Sequence, residues 1–160
     1  MPLFRAASAP DPDDVALLGR QLRKLDPWAF WPVELDPGVG ASFAVLGVTG
    51  AFVAAPCGLE GYLVAEGRRL VVDGRRVGGF RDVKRAARFV HGKLLGIGAS
   101  TSSVVPILVL TRARAGAPRD HAGVRVLRPE DLVPAITTRE HVLDPSTAQR
   151  LANRLSLRPA

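Results

Sequence analysis

The chain has 160 residues, 47% of them hydrophobic, which suits one domain with a buried core and is too apolar for a disordered chain. Lys and Arg number 22 against 15 acids, and 19 of the 22 are Arg, so a net charge of +7 favours phosphate-bearing or acidic partners. A single cysteine, Cys57, excludes an internal disulfide and a multi-cysteine metal site, and a reducing, cytoplasmic location is expected.

Residues 1–12 read as a flexible tail without the apolar core of a secretory signal. Asp13 or Asp14 is placed to cap a helix reaching Leu25, whose Val15, Leu18, Leu22 and Leu25 share one face. Asp26-Pro27 ends it. The aromatic stretch Trp28 to Leu35 reads as a strand, and Pro32 marks it as an edge. From Pro37 to Leu59 no residue is charged, a run long enough to span a bilayer. Its five glycines, Pro56 and the Thr49-Gly50 turn argue instead for two strands, Ser42–Val48 and Ala51–Ala55, buried on both faces of a sheet. No membrane contact is expected.

Tyr62–Ala65 and Leu70–Val72 are strand-like, and Asp73-Gly74 turns the second into Arg75–Val77. A helix is predicted from Phe80 to Leu95, with Val83, Ala86, Ala87, Val90 and Leu94 as its apolar stripe. Ser103–Leu110 reads as a buried strand, residues 112–123 as a polar loop, and Val124–Leu127 as another strand. A short helix interrupted by Pro134 and a last helix begun by Asp144 or Ser146 complete the domain, residues 13–155, before a short tail at 156–160. This order predicts an α/β domain with a mixed central sheet flanked by helices.

The glycine motifs carry little chemistry. Gly38-Val39-Gly40 precedes a strand, and Gly96-Ile97-Gly98-Ala99-Ser100 follows a helix, whereas a phosphate loop runs from strand into helix. Cys57 and the scattered His91, His121 and His141 have neither nucleophile nor zinc spacing. The basic residues are the stronger signal. Arg68, Arg69, Arg75 and Arg76 bracket a hairpin, and Arg81, Lys84, Arg85 and Arg88 line the helix that follows. Planar guanidinium groups in such number suit the oxygens of a DNA or RNA backbone, bound without reading sequence. The competing reading of the same residues is a solvated helix face and hairpin tip.

The apolar hairpin, the DG-containing hairpin, the Arg/Ala helix, the strand "SVVPILVL" and the strand "VRVL" before a short helix together resemble the nuclease-related domain, NERD. The resemblance covers about residues 13–155. It implies a restriction-endonuclease-like fold and, in active members, a metal-dependent phosphodiesterase. There the first apolar strand opens with Asp-His and the second ends in acid-x-Lys, so that two carboxylates hold a divalent cation such as Mg²⁺ and the lysine assists. Those positions fall here on Ser42-Phe43 and Ala55-Pro56-Cys57. The resemblance therefore implies a degenerate member without a cofactor. A family Glu on the early helix falls near Asp13 or Asp14, and a polar residue opening the later helix falls near Asp82. Asp36 and Glu60 are the acids from which a relocated site would be built. The alternatives to an inactive nucleic-acid-binding domain are a scaffold that binds a protein partner or its own copy, using the "WAFW" segment, and an active nuclease with such a relocated site.

Overall fold

A computed structural model describes residues 10–98 and 103–156. The first helix, α1 (Pro12–Leu22), starts inside the segment read as a tail. Asp11, not Asp13 or Asp14, caps it: Asp11 Oδ1 accepts from the Asp13 amide at 2.8 Å, and Pro12 takes the first helical position, where no intrahelical amide bond is needed. Leu18 and Leu22 are buried on its apolar face, and Leu25 is buried just beyond its end.

Three strands follow as an antiparallel meander, β1 (Phe30–Glu34), β2 (Phe43–Gly47) and β3 (Gly50–Cys57). β1 forms the sheet edge, which is where Pro32 is tolerated without an amide to give. Phe30 pairs with Gly47, and any side chain at that glycine would run into the Phe30 ring. The uncharged run thus folds as strands, and no described helix is long and apolar enough to cross a membrane. Thr49 in the β2–β3 turn is buried, and its hydroxyl donates to the Ile136 carbonyl at 2.6 Å.

β4 (Gly61–Glu66), β5 (Arg69–Val72) and β6 (Arg75–Arg76) come next, with Asp73 (φ 49°) and Gly74 (φ 78°) as the left-handed pair that a tight hairpin requires. Helix α2 (Phe80–Gly96) buries Val83, Ala86, Ala87, Val90 and Leu94, the stripe read from the sequence. It is the crossover that lets β7 (Val104–Leu110) pair parallel to β3. Pro106 fits this central strand because β10 (Val124–Leu127) begins to pair only at Ile107. The stretch read as a polar loop also contains two short strands, β8 (Ala113–Arg114) and β9 (Arg119–His121). Pro134 does not interrupt α3 (Leu132–Thr137); it lies in the first turn, where its missing amide costs nothing. Helix α4 (Pro145–Ser156) starts at Asp144, whose carboxylate takes the Thr147 amide at 2.8 Å.

The main sheet has the order β1-β2-β3-β7-β10-β9. Alternation along its strands divides the core in two. Phe43, Val45, Phe52, Ala54, Ile107 and Val109 pack with α1 and α3, whereas Ala44, Leu46, Val53, Ala55, Leu108 and Leu110 pack with α2 and α4. The result is an α/β domain with a mixed sheet flanked by helices. The smaller sheet, ordered β6-β5-β4-β8, leads on from it: β3 runs into β4 and β7 into β8, and the Thr111 amide and hydroxyl both donate to the Cys57 carbonyl.

Candidate nucleic-acid interface

The β2–β3 register brings the four strand-end positions to one end of the hairpin. Phe43 lies opposite Ala54, and the Ser42 amide donates to the Ala54 carbonyl at 3.0 Å, so Ser42 stands beside Ala55. Ser42 is half-buried, Phe43 turns its ring into the α1–α3 core, and Ala55 is buried against the α2 side. Gly40 adopts φ 106° directly against the Asp82 carbonyl, which holds the loop before β2 on the first turn of α2. These groups do not fit a divalent cation. Ala55 has no donor atom, Ser42 supplies only a neutral hydroxyl, and hard cations take carboxylate oxygens.

Cys57 is not equipped as a nucleophile either. Burial pushes its thiol above the usual 9.0, a hydrogen bond with the Leu59 backbone opposes this, and the Asp14 charge adds to the rise. The thiol is held protonated, the opposite of an activated cysteine. The carboxylate that acts on this thiol, Asp14, is itself committed. It is buried, lies against Gly58, and accepts from Arg112 Nε at 3.0 Å. Arg112 also donates to Asp11 at 2.8 Å, and the two carboxylates, Asp14 first, push its guanidinium pKa further up. Of Asp13 and Asp14, then, Asp14 is the one that reaches the strand ends, and it meets an arginine there. Asp36 and Glu60 are exposed, the first bordering a cleft of about 130 Å³ with Glu34 and Lys93, the second in the link from β3 to β4. No group of three His, Cys, Asp or Glu residues able to hold a metal occurs among the described residues.

The predicted basic residues separate into two kinds. Arg68 and Arg69 sit at the β4–β5 turn, Arg75 and Arg76 on β6, and Arg81 and Arg88 two turns apart on α2. All six are exposed, and none of their side chains makes a hydrogen bond or ion pair with a described residue. Lys84 and Arg85 instead brace the fold. Lys84 donates to the Ala122 carbonyl at 2.9 Å, and Arg85 reaches the Gly38 carbonyl at 3.4 Å and Asp82 at 3.7 Å. The hairpin and helix stay together because Leu70, Val72 and Val77 bury in the same core cluster as Val83 and Ala87. Only Gly78 and Gly79 separate Val77 from the helix, so Arg76 and Arg81 are at most about 18 Å apart along the backbone.

Two features were beyond the reach of sequence. The Asp14–Arg112 pair joins residues 98 positions apart. The exposed Tyr62, bonded through its hydroxyl to Arg114 at 3.1 Å, carries no local motif. No family model, curated protein or solved structure matches this chain.

Proposed function

We propose that this chain is a nuclease-related domain of restriction-endonuclease-like architecture that does not cleave, and that it holds DNA or RNA in the cytoplasm by the backbone. The observation that carries the reading is the set of six exposed arginines, Arg68, Arg69, Arg75, Arg76, Arg81 and Arg88, with no acid partner among the described residues. Unpaired guanidinium groups keep their full charge for phosphate and release counterions on binding. The resemblance is supported by topology: the antiparallel hairpin sets Ser42 beside Ala55, as catalytic strand ends require, and α2 crosses to a parallel strand. The reading that the domain does not cleave is supported by the chemistry at those ends, where a hydroxyl, a methyl and a protonated thiol stand in place of the family's carboxylates and amine.

The test is binding to labelled DNA and RNA across a salt series. Affinity is expected to fall steeply with salt. A variant with Arg75, Arg81 and Arg88 changed to Ala should flatten the log–log slope by roughly 0.9 per arginine on duplex DNA. Salt-independent or absent binding overturns the reading. A protein-partner role then takes its place, favoured by Trp28 at 82% and Val142 at 63% exposure on chain segments that both bond to Val48.

A further inference from the structure

The smaller sheet presents an open face whose composition differs from the rest of the surface. Residues paired across neighbouring strands point to the same side. Tyr62 pairs with Arg114, Val64 with Val71, Glu66 with Arg69, and Val71 with Arg76. Tyr62, Val64, Glu66, Arg69, Arg76 and Arg114 therefore share one face around the buried Val71, and the exposed carboxylate of Asp73 lies at its Tyr62 end. The other face, through Leu63, Leu70 and Val72, packs into the core. Tyr62 is 60% exposed and Val64 49%, unusual for an aromatic and an adjacent valine on a strand.

The tyrosine is also held in place. Asp73, in the left-handed turn of the next hairpin, accepts from the Tyr62 amide at 3.1 Å. Arg114 donates to the phenol oxygen, and its guanidinium carbon lies 5.5 Å from the ring centroid. Such a ring loses little freedom when something stacks on its open side. From Tyr62 to Glu66 and from β8 to β6 the face measures about 13 by 14 Å, room for two or three unstacked nucleotides.

We infer that this face is a stacking platform for single-stranded nucleic acid: a base lies on Tyr62 while Arg69, Arg76 and Arg114 hold the phosphates on either side. A duplex hides its base faces and cannot use the ring, whereas every unpaired base offers one. The inference rests on the backbone-binding reading above and adds the strand state to it.

The experiment measures fluorescence anisotropy at one salt concentration with three probes: oligothymidylate, a duplex of the same length, and an abasic strand that keeps the phosphates without bases. Oligothymidylate should bind more tightly than either of the others. Tyr62→Ala should weaken the oligothymidylate roughly tenfold and leave the abasic strand unchanged. Tyr62→Phe, which keeps the ring, should bind as wild type, and Tyr62→Leu, which keeps apolar bulk without a π face, should bind like Tyr62→Ala. Duplex binding as tight as oligothymidylate, or unaltered binding by both Tyr62→Ala and Tyr62→Leu, overturns the platform and leaves backbone binding standing. Failure of all three probes to bind overturns both.

Discussion

Two groups of arginines show what the same side chain does under different acid supply. At the ends of β7 and β10, Arg112 and Arg128 are each clasped by carboxylates, Arg112 by Asp11 and Asp14 and Arg128 by Asp131 and Glu130. From the β4–β5 turn through β6 and along the outer face of α2, the side chains of Arg68, Arg69, Arg75, Arg76, Arg81 and Arg88 stand exposed with no ion pair to a described acid. The first group spends its charge inside the molecule, where pairing with a buried carboxylate such as Asp14 is structural. The second spends none, and adds little to stability, because exposed charges contribute little there. The excess of +7 is therefore unevenly placed, and its field is strongest where the arginines are unpaired.

The comparison is broken most severely by moving charge in the second group. Changing Arg75, Arg76, Arg81 and Arg88 together to Ala is expected to weaken nucleic-acid binding by roughly a hundredfold or more at low salt. The same variant should melt within about 2 °C of wild type, since none of the four side chains is bonded to the fold. A large fall in melting temperature, or unchanged affinity, would show that the two groups do not divide the work in this way.

The converse substitution is Arg112→Ala. It strands the Asp14 carboxylate in a buried position beside Cys57 and is expected to lower the melting temperature by about 5 °C. Arg125, whose only ion-pair partner among the described residues is the exposed Asp120, should lower it far less when changed to Ala. Thermal melts of the two variants side by side measure the difference between a pair that holds the fold and one that does not.

The smallest effect concerns an acid that no described arginine pairs with. Asp144 caps α4, and hydrogen bonds from the Ser146 hydroxyl and the Thr147 amide and hydroxyl hold its carboxyl at about 2, below the usual 3.8. A depressed carboxyl contributes stability above its unfolded value and loses it as pH falls through the folded one. Asp144→Ala should thus melt about 3 °C below wild type at neutral pH, and the gap should begin to close below about pH 4 and vanish near about pH 2. A gap that stays constant across this range would mean that the cap does not act through its charge.

Much of the fold was legible because it depends on local periodicity. The 3.6-residue stripe of α2, the uncharged run of β2 and β3, and the Asp73-Gly74 turn each state their structure within a few residues. The short strands β8 and β9 did not, since Ala113–Arg114 and Arg119–His121 have no apolar alternation and become strands only because β4 and β10 offer free edges to pair with. Asp11 does not stand out in the sequence as the cap, because Asp13 and Asp14 are cap-type side chains only two and three residues further on. The candidate site was legible in its residue types and not in their state. Eight basic residues stood out from residue 68 to residue 88, but nothing local distinguishes Lys84 and Arg85, which brace neighbouring loops, from Arg81 and Arg88, which do not.

By itself the sequence determined the class of fold, the central apolar hairpin, the surplus of arginine, and the side chains at Ser42, Ala55 and Cys57, because composition and short-range pattern set these directly. Only the tertiary structure decided which charges cancel. Whether an arginine is spent depends on which carboxylate lies within about 4 Å, and for Arg112 that partner arrives from 98 residues away. The same holds for Tyr62, whose exposure beside Arg69, Arg76 and Arg114 exists only once four strands have aligned in register.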